Sequence, residues 1–221
     1  MDISTLIGRL ALGPRWAVVE QAKAQPETAL SLPATITLDG VNLLLRGVRI
    51  GDAPAILAFA RALPAHDLLF LRRDITSSVQ VDAVLRDAET GLAVTVLAFE
   101  GQEVVGYATI ASDGLSWTQH VRELRVLVAE RMRGKHLGRL LIEQSFAIAR
   151  MQGAKKMIAQ MTVDQRGAIG VFRRMGFEPE ARLRSQVIDR SGQLHDLQIM
   201  GLDIDAFEAR LEVAVTQPTE V

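Results

Sequence analysis

The chain has 221 residues, of which 48% are hydrophobic, with a formal net charge of −1 and no cysteine. That length suits one domain with a well-buried core, and the apolar content excludes disorder as the main state. A balanced charge argues against a nucleic-acid coat, and the lack of cysteine removes disulfides, thiolate metal sites and thiol nucleophiles.

In chain order, residues 1–33 give the weakest signals. Ile3, Leu6, Ile7 and Leu10 suit a short amphipathic helix, which Gly13-Pro14, Pro26 and Pro33 interrupt. The first residues carry no basic leader pattern and no apolar run reaches membrane-spanning length, so a soluble cytoplasmic protein is expected, with no membrane or nucleic-acid partner. Ala34–Leu38 and Val41–Leu45 flank Asp39-Gly40, the signature of a hairpin with a type I′ turn. Val48–Ile50 continues as a strand, and Asp52 and Pro54 open a helix to about Leu63. Asp82–Glu89 is a second helix, closed by Gly91, and Leu92–Phe99 with Val104–Ile110 a second hairpin.

Residues 123–139 are the most informative. Leu124, Val126 and Val128 alternate as a strand would, a basic glycine turn follows (Arg131, Arg133, Gly134, Lys135, Gly138), and an apolar helix face runs from Leu137 to about residue 152. A strand, a basic glycine turn and a helix start together form a cradle for a phosphate, because free N–H groups and the helix dipole point at the turn. An ordinary surface turn fits the same spacing equally well. Neither a P-loop lysine pattern nor dinucleotide glycine spacing is present. Lys156–Met161 follows as a strand, Arg166–Met175 as a helix ended by Gly176, and Arg182–Asp189 with Leu194–Asp203 as a last hairpin. The order implies an α+β fold.

That order, with Arg133-Gly134-Lys135-His136-Leu137-Gly138 at the strand-to-helix junction, resembles the GCN5-related N-acetyltransferase (GNAT) superfamily. Arg133 and Gly138 match the ends of its Arg/Gln-x-x-Gly-x-Gly/Ala acetyl-CoA signature. Gln165, Ala168, Phe172 and Gly176-Phe177 follow its Asn-x-x-Ala-x-x-x-Tyr-x-x-x-Gly-Phe element. The resemblance covers roughly residues 46–203. It implies a GNAT domain over 46–221 preceded by an extension over 1–45, and a mixed, mostly antiparallel sheet of six to seven strands with helices on both faces.

The resemblance also implies acetyl-CoA as cosubstrate, with Arg133, Gly134, Lys135, His136, Leu137, Gly138 and Arg139 at its pyrophosphate. Val126, Leu127 and Val128 would hold its pantetheine arm, and Gln165 and Phe172 would lie beside it. The acceptor is a primary amine, on a small molecule or at a protein lysine or N-terminus. No metal is expected, and a homodimer is allowed. Three departures stand out: His136 replaces the first glycine, Gln165 an asparagine, and Phe172 the tyrosine that serves many relatives as an acid.

An exposed turn residue is the plainer account of His136, and core packing of Ala168, Phe172 and Met175 the plainer account of Phe172. Glu123 is the candidate base for the amine proton, balanced by its reading as a strand-start carboxylate. Asp74, Asp113 and His120 are weaker candidates, and Tyr107 has no assigned role. Residues 67–76, Trp117 and His120, and the hairpin around His195-Asp196 would wall the acceptor site, with Trp117 as readily a packing residue and the His195-Asp196 pair better explained by solvation. A catalytically weak acyl-CoA or partner sensor is the alternative to an enzyme.

Overall fold

The computed structural model describes residues 31–69 and 71–207, leaving the expected N-terminal helix outside the described residues. Eight strands form one sheet: β1 (Ala34–Leu38), β2 (Val41–Gly47), β3 (Ala93–Glu100), β4 (Glu103–Ala111), β5 (Val121–Val128), β6 (Lys156–Thr162), β7 (Glu178–Ile188) and β8 (Leu194–Asp203). The spatial order is β1-β2-β3-β4-β5-β6-β8-β7. Only β5 and β6 run parallel; the other neighbours are antiparallel. The fold is the expected mixed α+β sheet, one strand larger than anticipated because the first hairpin is hydrogen-bonded to β3.

Among the described residues, the α-helices that flank it are α1 (Ala53–Ala62), α2 (Ser78–Glu89), α3 (Leu137–Met151) and α4 (Arg166–Arg174). Tyr107 and Leu127 face α1 and α2, packing with Ile56, Phe59, Val81 and Val84. On the opposite face, Ile110, Leu124, Met157 and Met161 pack with α3 residues Ile142 and Phe146 and with Phe172 of α4. Period-2 alternation on β4, β5 and β6 therefore assigns each residue to one of two layers. Among the described residues, no helix is long and apolar enough to cross a membrane.

The Asp39-Gly40 turn has both residues at positive φ, 47° and 78°, as a type I′ hairpin requires. Val48–Ile50 is not the expected strand: β2 ends at Gly47 and a 3₁₀ turn spans Ile50–Asp52. The cause is Asp52. Its carboxylate takes the Arg49 N–H at 2.7 Å and both Arg46 guanidinium nitrogens at 2.7 Å, so the chain turns before α1. The Arg46 hydrogen bond holds the Asp52 carboxyl below its ordinary range.

Candidate active site

The parallel pairing of β5 with β6 covers only Val121–Leu124 against Lys156–Ala159. Beyond it, β5 stays paired with β4 as far as Val128, and β6 with β8 as far as Thr162. The two strands therefore part, and the edge of β5 at Val126, Leu127 and Val128 faces a slot rather than a neighbouring strand. Arg125 crosses the base of this fork, donating from its guanidinium to the Gln160 carbonyl at 3.0 Å.

After β5 the chain makes a 3₁₀ turn at Glu130–Met132, anchored by the buried Met132 and by the Ala129 N–H bonded to the Val105 carbonyl at 2.9 Å. Gly134 sits at φ 76° and His136 at φ 62°, both left-handed. The imidazole costs His136 about 1 kcal/mol of backbone strain that a glycine would avoid. It stays 66% exposed, the turn residue anticipated, with Nδ1 3.6 Å from Asp39. α3 then starts without a side-chain cap, so the amides of its first turn, Leu137 to Arg139, point outward at the loop. A Cβ on Gly138 would stand 3.6 Å from Val128 Cγ2, which puts this helix start directly against the fork. The Leu137 side chain is fully buried, so Leu137 has only its backbone to offer a ligand. Arg133 pairs with Asp67 and Arg139 with Glu143 at 2.8 Å, while Lys135 has no ion-pair partner among the described residues.

On the α1/α2 side of the fork lies a cavity of about 310 Å³. Glu123 and Arg125 of β5, Tyr107 and Thr109 of β4, and Arg72 and Arg73 from the segment between the helices line it. Glu123 is 13% exposed, bound to the Arg125 guanidinium and 3.5 Å from Arg72 Nη1. Burial pushes the Arg125 guanidinium below its ordinary pKa, against the pull of Glu123. Arg73 holds Asp87 with two hydrogen bonds, 2.6 and 3.0 Å. Burial raises the Tyr107 phenol to about 12, so it stays a neutral hydroxyl.

The model of the Acetyltransferase (GNAT) family matches residues 60–177, the stretch that carries the fork, the loop and this cavity. The chain belongs to the GNAT acetyltransferase family. A relative from Pseudomonas paraeruginosa, an L-methionine sulfoximine/L-methionine sulfone acetyltransferase, is 30% identical over 171 residues, spanning 73% of this chain and 94% of the relative. The ribosomal-protein-alanine N-acetyltransferase from Brucella melitensis superposes with a TM-score of 0.64 at 25% identity, covering 72% of this chain and 99% of that one. The Salmonella typhimurium yncA structure, solved with acetyl-CoA, gives 0.63 at 23% identity over 74% and 95% of the two chains. This GNAT protein is an N-acetyltransferase.

The remaining expected residues divide clearly. Gln165 closes the β6–α4 turn, its side-chain oxygen accepting the Thr162 N–H at 3.2 Å. Phe172 is 6% exposed, edge-on to Phe177 at 5.0 Å, and packed in the apolar cluster beneath α4. Met175 shares that cluster, but Ala168 is exposed and does not belong to the packed face. Trp117 is 87% exposed, so it is not the packing residue that was the alternative. Asp113 caps its own loop through Thr118 and the Leu115 N–H, and Asp74 binds Thr76. His195 and Asp196 do not pair, because consecutive strand residues point to opposite faces. His195 binds Asp189 at 2.9 Å, while Asp196 takes the Ser185 N–H and Arg182. Arg72 and Arg73 fall within the 67–76 segment expected to wall the acceptor site, though neither was singled out there; Asp87 and Arg125 were not foreseen, and the one available signal was that Arg125 shares a strand face with Glu123.

Proposed function

We propose that this enzyme acetylates the α-amine of a small acceptor that also bears a carboxylate, the chemical class of the amino-acid derivatives named for its Pseudomonas relative. The observation carrying this reading is Glu123 and Arg72, opposite charges 3.5 Å apart inside a cavity of about 310 Å³ at the fork. A zwitterion satisfies both: its ammonium meets Glu123 and its carboxylate meets the Arg72 guanidinium, which suits planar bidentate recognition. The volume is at the small end of ligand sites and fits an amino acid better than a peptide.

The residues fit acetyl-CoA, which supplies an activated thioester. The Arg133 and Lys135 N–H groups already close the turn on the Glu130 and Met132 carbonyls, so the amides of Gly134 and of His136 to Arg139, with the Lys135 ammonium, would take the pyrophosphate. The edge of β5 at Val126–Val128 would hydrogen-bond the pantetheine arm, with one N–H polarising the carbonyl. Glu123 would receive the amine proton directly or through water, freeing the lone pair for attack. Phe172 has no proton to give, and a thiol's ordinary pKa near 8.5 lets the thiolate leave unaided. Both reactants are metabolites of the cytoplasm, where we place the enzyme. Thiol release from acetyl-CoA with a panel of α-amino acids, polyamines and lysine peptides tests the reading. Turnover with α-amino acids supports it, and turnover confined to polyamines or peptides refutes it.

A further inference from the structure

Outside the cavity, His66, Asp164 and His195 each offer one ligand atom, and these atoms lie within 4.8 Å of one another. They come from three separate segments: the 3₁₀ turn after α1, the β6–α4 turn and β8. His66 Nε2 is 2.9 Å from Asp164 Oδ2 and 3.2 Å from the Thr162 hydroxyl. The two imidazoles stand edge to face with centroids 5.4 Å apart.

We propose that His66, Asp164 and His195 form a binding site for one divalent transition-metal ion of the Zn²⁺ or Co²⁺ class. Two imidazoles and one carboxylate are a donor set these ions favour over Mg²⁺ or Ca²⁺. Tetrahedral bonds of ~2.1 Å put ligand atoms about 3.4 Å apart, so side-chain rotations of about an ångström close the site. His195 has its orienting partner already, since Nε2 is held by Asp189 at 2.9 Å and Nδ1 remains to ligate. Three protein ligands leave a position for water.

Such an ion ties the segment carrying Arg72 to the turn carrying Gln165. Its role is to brace the roof of the acceptor cavity, independently of which amine is acetylated.

The test titrates Co²⁺ into chelator-stripped full-length protein, following its visible absorption, with Zn²⁺ as competitor. One ion per chain is expected. His66→Gln and His195→Gln should each weaken binding at least about tenfold, as loss of a ligand does, while His120→Gln leaves it unchanged. A direct check on the wild type avoids any folding defect: Zn²⁺ should protect His66, but not His120 or His136, from diethyl pyrocarbonate. Absence of stoichiometric binding overturns the proposal. So does binding that survives both glutamine variants, or unprotected His66 in the Zn²⁺-loaded protein.

Discussion

Replacing Glu123 by glutamine keeps the side chain's shape and removes its charge and its capacity to take a proton. Loss of a general base costs about 10²–10⁴ in turnover, equivalent to about 3–5 kcal/mol in the barrier. The fold should survive. Arg125 keeps its hydrogen bond to the Gln160 carbonyl and retains an amide oxygen where the carboxylate stood. The buried Arg125 guanidinium loses its counter-charge, so the expected destabilisation is about 3 kcal/mol, against the 5–15 kcal/mol by which domains are ordinarily stable. The assay is initial thiol release at saturating acetyl-CoA, from pH 6 to the highest pH the fold withstands. The deficit should be largest where the acceptor is protonated and should shrink as pH approaches the amine's own pKa. Acetyl-CoA affinity should be unchanged. Equal turnover for variant and wild type at every pH would refute the assignment and move the base elsewhere.

Three further outcomes test the geometry. Gly138→Glu puts bulk and negative charge at the uncapped start of α3, so calorimetry should show loss of acetyl-CoA binding in a folded protein. Asp67→Asn removes the nearer of two carboxylates on Arg133, leaving Glu130 at 3.7 Å; surface pairs contribute up to about 1 kcal/mol, so acetyl-CoA should bind up to about fivefold tighter, and weaker binding would mean Asp67 positions Arg133. Gly106→Ala places a Cβ 2.9 Å from Leu141 Cδ1 and 3.2 Å from Ala98 Cβ, beneath α3. That overpacking should cost about 1–3 kcal/mol in thermal denaturation, and an unchanged melting temperature would mean that α3 yields freely.

The sequence reveals the elements whose periodicity is strong and whose turns carry their own chemistry. The Asp39-Gly40 hairpin, β5 and α3 are all of this kind. Val48–Ile50 misleads because its β-branched residues favour a strand, whereas the Asp52 carboxylate claims the Arg49 N–H from further along the chain. α2 starts at Ser78 rather than Asp82: Ser77 is its N-cap and Val81 packs inward with Val84, whereas the exposed Val79 blurs the apolar period at this end. The cofactor side of the site is local, one strand, one turn and one helix start, and is legible as a motif. The acceptor side is not. Arg72 and Arg73 lie in an irregular stretch, and Arg73 meets Asp87 fourteen residues on. His66 and Thr162 meet across 96 residues. No local pattern encodes such encounters; only the fork and the helices beside it bring them together.

The central claim is that Arg72 and Glu123 select an acceptor with both a carboxylate and an amine. The most direct measurement is the ratio of kcat/KM for an α-amino acid to that for the same compound lacking its carboxylate, in the wild type and in Arg72→Gln. The Arg72 guanidinium is 47% exposed, so its charge-assisted contact is worth about 1.5 kcal/mol and the wild type should favour the amino acid by about tenfold. In Arg72→Gln the ratio should fall toward unity, with the carboxylate-free amine little affected. A wild-type ratio near one, or a ratio unmoved by the substitution, would contradict the account.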